Sequence, residues 1–289
     1  MMNIDFSKHF CGEDGYCLDY NKAGIVILPV PYDGTSTWIK GSDKGPEAII
    51  EASGTLEMYD IETELDVSKK GIYTLAAVDE KASPEAMVLA VEKAVNEQFK
   101  NNKFTVLIGG EHSVSIGAFK AYAQRYKDLS ILQLDAHADL RPKYEGSENN
   151  HACAMYQARE VAPIVQVGIR SMCEEEKAFV NADTMFFRHQ IRKQKTWKKE
   201  VLKKLNKNVY LTIDLDVFDT SIMPSTGTPE PDGLLFNDVI DLIETVASKV
   251  NIVGFDVVEL CPNKANKAPD YLAAKLIYRI LSIIYKSKQ

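Results

Sequence analysis

Short continuous apolar runs alternate along this chain with longer stretches in which apolar residues recur every third or fourth position. Ile25-Val26-Ile27-Leu28-Pro29-Val30, Phe104 to Ile108, Leu129 to Leu134, Pro163 to Ile169, Thr184 to Phe187, Val209 to Val217 and Ile252 to Val258 are the apolar runs. Runs of this length with no polar alternation predict strands covered on both faces. Helical patterns fall between them. One opens at Gly45-Pro46, with proline tolerated in the first turn, and carries Ile49, Ile50 and Leu56. Another starts at Ser83-Pro84-Glu85 and reaches about Lys100; others run to about Tyr126, from Trp197 to Leu205, from Phe236 to Lys249 and from Tyr271 to Tyr285. Doubly buried strands separated by helices imply a three-layer α/β/α fold with a mostly parallel central sheet. No Pro/Gly/Ser linker, repeat or low-complexity tract interrupts the pattern, so a single domain over residues 1–289 is expected.

In such a fold, ligands sit outside the carboxyl ends of the strands. The polar motifs fall there. His112 follows the Phe104 strand, in a turn that Gly109 and Gly110 make flexible. Asp135, His137 and Asp139 follow the Leu129 strand at a spacing of two. If the backbone stays extended, that spacing puts all three on one face. Asp214 and Asp216 repeat the spacing near the end of the Val209 strand, with Asp219 further on, and Glu259 ends the last strand. A lone strand-end aspartate is usually a cap or turn former, and a lone histidine a satisfied core or surface residue. Six carboxylates and imidazoles at the ends of three strands make independent accidents improbable. Four aspartates and two neutral histidines carry a charge that one divalent cation leaves uncompensated and two neutralise. A carboxylate-rich set without thiolate favours a harder ion such as Mn2+ over structural zinc. Water held between two such ions becomes a nucleophile near neutral pH, so metal-assisted hydrolysis is the expected reaction class.

Composition narrows the options without changing them. A net charge of -7 over 289 residues argues against a nucleic-acid partner. The basic stretch Arg192 to Lys207 reads as a solvated helix face. No window approaches the ~20 apolar residues of a membrane span, and Met1 to Tyr20 shows no signal peptide. Five scattered cysteines, without a C-x-x-C, read as reduced thiols of a cytoplasmic protein. Cys153 and Cys261 lie two residues from His151 and Glu259 and are placed to line the site. No phosphate loop or dinucleotide fingerprint is present.

Gly109-Gly110-Glu111-His112-Ser113, Asp135-Ala136-His137-Ala138-Asp139-Leu140, Thr212-Ile213-Asp214-Leu215-Asp216-Val217-Phe218-Asp219 and Asp256-Val257-Val258-Glu259 together resemble the signature set of the ureohydrolases, the family of arginase and agmatinase. The resemblance runs from Pro31-Tyr32-Asp33-Gly34 through Pro224-Ser225-Thr226-Gly227-Thr228-Pro229 to the last helix. It implies two Mn2+ ions per chain, with His112 and Asp139 completing one shell, His137 and Asp216 the other, and Asp135 and Asp214 bridging. Asp219 would orient ligands from behind. Glu259 would pair with a substrate guanidinium, and His151 would assist substrate binding or proton transfer. The expected reaction is attack of a metal-bridging hydroxide on the guanidinium carbon, with Asp139 or His151 carrying a proton to the leaving amine. No Asn follows Leu140 as in arginases, and His151-Ala152-Cys153-Ala154-Met155 is closer to the agmatinase branch. Agmatine, giving putrescine and urea, is therefore the expected substrate. 4-Guanidinobutyrate, which Arg141 and Lys143 would suit, and arginine are the alternatives. The family resemblance also implies a homo-oligomer, trimer or hexamer. From a different class, a non-catalytic metal-dependent binding protein would be favoured by loss of a ligand, and none is lost. A metal-dependent deacetylase would carry a paired-histidine segment that this chain lacks.

Overall fold

The seven apolar runs all form strands, and one short strand joins them at an edge. The computed structural model describes residues 5–289. β1 (Ile25–Val30), β2 (Ile72–Thr74), β3 (Phe104–Gly109), β4 (Leu129–Leu134), β5 (Ile164–Ile169), β6 (Met185–Phe187), β7 (Asn208–Asp214) and β8 (Asn251–Val258) pair in the order β2-β1-β3-β8-β7-β4-β5-β6. Every pairing is parallel. All residues of β1 and β4 are buried, as their unbroken apolar runs require.

Alternation along each strand divides the core into two layers. Ile27, Ile108, Leu132 and Leu211 face one side, with helices Gly45–Ser53, Phe236–Ala247 and Ala268–Ser287. Their neighbours Leu28, Leu107, Ile131 and Tyr210 face the other, with helices Pro84–Lys100, Ser115–Arg125 and Ala154–Arg159. Together these make the α/β/α arrangement. Helix Ala268–Ser287 is buried along most of its length, Arg279 included. That guanidinium is compensated by Asp60 at 2.5 Å, Glu62 at 2.7 Å and Glu244 at 3.3 Å, which ties the 55–66 region to the helix layer.

The four central strands, β3, β8, β7 and β4, are neighbours in the sheet although they come from distant parts of the chain. The loops that leave them therefore meet at one place. Several boundaries differ from the sequence pattern. The run Val209 to Val217 stops being a strand at Asp214, and Leu215–Val217 is a 3-10 turn, so Asp216 sits off the strand. The Trp197 helix ends at Leu202. The last helix begins at Ala268, where Pro269 sits in the first turn. Among the described residues no helix is long and apolar enough to cross a membrane.

Candidate metal centre and active site

The stretch after β4 does not stay extended, so its three polar residues do not share a strand face. Asp139 adopts a left-handed conformation, φ +51°. The chain is instead folded over the sheet end by backbone bonds: Arg170 N and Ser171 N both donate to Ala136 O, and Ala138 N donates to Ser171 O. Asp139 O accepts from Met155 N and Tyr156 N at 3.0 Å each. Turning of the chain, not strand alternation, brings the side chains together. Glu259 is also left-handed, φ +68°, with its N–H held by Gly110 O at 2.7 Å. Such conformations cost about 1–3 kcal/mol each and gather at functional sites. Gly110 is there for close approach rather than flexibility, because a side chain would meet Tyr32 O at 2.0 Å.

His112 Nδ1 lies 3.1 Å from Asp135 Oδ2, 3.1 Å from Asp139 Oδ2 and 3.6 Å from Asp214 Oδ2. His137 Nδ1 lies 2.8 Å from Asp216 Oδ2 and 3.7 Å from Asp135 Oδ1. The two oxygens of Asp135 thus face different histidines. Donor atoms of His112, Asp135 and Asp139 fall within 4.8 Å of one another, as do those of Asp135, His137 and Asp216. Asp214 joins through His112, while its Oδ1 accepts from Asp216 N at 2.8 Å. All six side chains expected from the sequence converge.

These residues fit a bound cation. Thr212 Oγ1 donates its one hydrogen to Asp256 Oδ1 at 2.6 Å, so it accepts from His112 Nε2 at 2.9 Å. His112 Nδ1 is left buried among carboxylates without a well-directed hydrogen-bond partner. It must hold a proton or a cation, and the poor hydrogen-bond geometry favours the cation. With no cation, protons take its place. Burial opposes the charged form of His137, but Asp216 and Asp135 override it and drive its pKa up to about 10. Burial, with Asp216 and Asp139 adding repulsion, raises Asp135 to about 7. Burial acts the same way on Asp216, yet His137 beside it holds that carboxyl at about 2.

A supporting layer escaped the sequence reading. Gln133 Nε2 donates to Asp135 Oδ2 at 2.6 Å and is itself held by Gln166 at 2.7 Å. Ala136 N donates to Asp216 Oδ1, and Arg170 Nη2 donates to Asp216 O at 2.6 Å and Glu230 O at 2.9 Å. The signal was available: Gln133, Gln166, Thr212 and Asp256 are polar residues inside otherwise apolar strands. Such residues need partners, and here the partners are ligands or their supports. Asp219 accepts from Ser221 N and Gly233 N at 3.0 Å each, so it acts on the loop rather than on a ligand side chain.

Above the cluster opens a pocket lined by His137, Asp139, Asp214, Asp216, Glu259 and His151, with Trp38, Tyr144 and Met172 at its walls. Glu259 Oε1 accepts from His112 N at 2.8 Å. Burial, with Glu111 nearby, raises the Glu259 carboxyl well above the ordinary range, a site that favours a cationic partner. Glu176 accepts from Leu140 N and Cys173 N at 2.8 and 2.7 Å, which pins two loops of the rim together. The thiol on the pocket wall is Cys173; Cys153 and Cys261, expected there, are not among the lining residues. Cys153 is fully buried, and burial pushes its thiol up to about 12.

A carboxylate–imidazole cluster under an open pocket, at the carboxyl ends of parallel strands, is the arrangement of a metal-assisted hydrolase. Residues 23–282 match the model of the Arginase family. The chain is 37% identical over 269 residues to the N(1)-aminopropylagmatine ureohydrolase of Thermus thermophilus, covering 91% of each. It is 32% identical to the agmatinase of Pyrococcus horikoshii, covering 92% of this chain and 94% of the relative. The solved agmatine ureohydrolase of Thermoplasma volcanium superposes with a TM-score of 0.87 at 32% identity, over 96% of this chain and 94% of that one. The chain belongs to the arginase family, whose members depend on a binuclear metal site, and it is a ureohydrolase acting on a carbon–nitrogen bond.

Proposed function

We propose that this chain hydrolyses agmatine to putrescine and urea, with two Mn2+ ions per chain. The observation that carries the reading is Asp135, whose two oxygens face the two histidines of the cluster beneath Glu259. His112 and Asp139 would hold one cation, His137 and Asp216 the other, and Asp135 and Asp214 both. When bound, the cations supply an acidified water nucleophile and charge for the tetrahedral centre. Glu259 accepts the guanidinium N–H groups and fixes the carbon over the cluster. His151, on the wall, or Asp139 passes a proton to the departing amine nitrogen, so that putrescine leaves as an amine.

Relatives named agmatinase and N(1)-aminopropylagmatine ureohydrolase support a cationic tail over a carboxylate or amino-acid one. Arg141, which would suit 4-guanidinobutyrate, is stacked on Tyr144 at 4.1 Å, which engages its guanidinium face against the pocket wall. The mouth is open, with Trp38 68% exposed on the rim, and this leaves room for the longer tail of N(1)-aminopropylagmatine as a second substrate. Family resemblance further supports a homo-oligomer, trimer or hexamer. Five unpaired cysteines support a reducing, cytoplasmic location. Urea release from agmatine, N(1)-aminopropylagmatine, arginine and 4-guanidinobutyrate, with Mn2+ present, tests the reading. Agmatine or its aminopropyl derivative should lead in kcat/KM. Preference for arginine would sink the pocket argument, and guanidine binding without any urea would make the chain a binding protein.

A further inference from the structure

We propose that Thr35, tied to Glu111, is a positioning residue that fixes His151 as the Nδ1–H tautomer and so leaves Nε2 free to face the substrate. His151 as proton carrier rests on the ureohydrolase reading above; the tautomer does not.

Three hydrogen bonds meet at one hydroxyl. Thr35 Oγ1 is 2.9 Å from Glu111 Oε1, 3.0 Å from the backbone N of His151 and 3.1 Å from His151 Nδ1. A hydroxyl has one hydrogen and accepts two bonds. The backbone N–H of His151 is necessarily a donor and uses one acceptor position. Glu111 also takes Ser113 N and Ser113 Oγ at 2.8 Å each, and these donors oppose the burial that raises its carboxyl. The hydroxyl hydrogen therefore goes to Glu111, and His151 Nδ1 can meet Thr35 only as a donor. That leaves the lone pair at Nε2, on the ring edge turned from Thr35, in a side chain that lines the pocket.

The fold holds this hydroxyl rigidly. Thr35 follows β1 and Glu111 follows β3, which are adjacent strands. Beyond their ends the two segments stay zipped, Gly110 N to Val30 O and Glu111 N to Tyr32 O, at 2.9 Å each. Thr35 is 7% exposed and Glu111 fully buried. The partners lie 76 and 116 residues apart in sequence, so no local motif reveals them. The bonds favour a positioning role for Thr35 over a merely structural one as partner of buried Glu111. Without the hydroxyl, Glu111 keeps both bonds from Ser113, whereas His151 loses both of its bonds to Thr35.

The test combines rate and spectrum on the Mn2+-loaded full chain. Thr35→Val should lower kcat for agmatine roughly 10- to 100-fold, up to the lower end of the ~10²–10⁴-fold that positioned proton transfer contributes, with KM little changed. Thr35→Ser, which restores the hydroxyl, should recover most of the rate. In a His151→Asn background, Thr35→Val should add no further loss. Ring ¹⁵N shifts of His151 in the metal-free chain, readable whether or not urea is released, should show a protonated Nδ1 and an unprotonated Nε2 at mildly alkaline pH. The Nε2–H tautomer in the unsubstituted protein would overturn the proposal. So would an undiminished effect of Thr35→Val in the His151→Asn background, or failure of serine to rescue. A chain with the expected tautomer but no urea release from any guanidine would leave the tautomer lock standing and refute the hydrolase reading alone.

Discussion

His112 and His151 sit at different levels of one pocket, and each is backed by the same device used in opposite senses. In both, a carboxylate takes the hydrogen of a threonine hydroxyl, and the threonine must then accept from the imidazole. At the floor the chain is Asp256–Thr212–His112, and the threonine takes Nε2. On the wall it is Glu111–Thr35–His151, and the threonine takes Nδ1. His112 is left with Nδ1 among three carboxylates, where it is 1% exposed and suited to hold a cation. His151 is left with Nε2 on the ring edge away from Thr35, in a side chain that lines the pocket, suited to move a proton. The device fixes a tautomer; the surroundings of the freed nitrogen decide what the histidine does.

The comparison breaks most violently at the residue both halves of the floor share. Asp135→Ala should cost at least ~10³-fold in urea release, the scale of several kcal/mol of Lewis-acid stabilisation. Elemental analysis should show fewer than two metal ions retained per chain. Full activity in that variant would remove the floor from the account. Next comes the support of His112. Thr212→Val should weaken metal retention by about 10- to 100-fold and lose little rate once Mn2+ is saturating. Thr35→Val should do the reverse, so matched metal titrations of the two valine variants separate floor from wall. A similar size is expected at Glu259: Glu259→Gln should lower kcat/KM for agmatine roughly 10- to 100-fold, the range for a lost charge-assisted hydrogen bond.

A gentler test uses pH. In the metal-free chain, burial and like charge push the Asp135 carboxyl up to about 7 from 3.8, and Asp216 and Asp135 outweigh burial to push His137 up to about 10 from 6.5. Raised folded-state values mean the folded chain binds these protons more tightly than the unfolded one. The stability they contribute is complete below the unfolded values and is lost as pH rises through about 7 for Asp135 and about 10 for His137. The low Asp216 value works the other way, but only in strong acid. Melting curves with a chelator should therefore shift downward by a few degrees from near-neutral to mildly alkaline pH. The margin restored by Mn2+ should widen over the same range, because the cation replaces those protons. A margin that narrows with pH would contradict the cluster's assignment.

Much of the floor was legible in the sequence because its residues lie at strand ends in short repeated spacings. β1 was delimited to the residue by its apolar run, and the start of helix Pro84–Lys100 was marked by its serine cap. What the sequence concealed was geometry made by contacts across the chain. The left-handed turn at Asp139 depends on Met155 and Tyr156 N–H groups, and the 3-10 turn at Asp216 replaces the strand its apolar neighbours suggested. β2 is three residues long at a sheet edge, too short for a periodic signal. Thr35, Glu111, Thr212 and Arg170 act on partners tens of residues away. Thr212 and Asp256 could still have been flagged as polar residues within buried strands, whereas Thr35, in a loop full of turn formers, could not.

If Asp135 and its neighbours hold two cations at once, urea release needs both. Metal-stripped protein titrated with Mn2+, with urea release from agmatine followed at each addition, tests it most directly. The expected result is activity rising to a plateau at two equivalents of bound metal per chain, with little at one. A plateau at one equivalent, or urea released by the fully stripped protein, would contradict it.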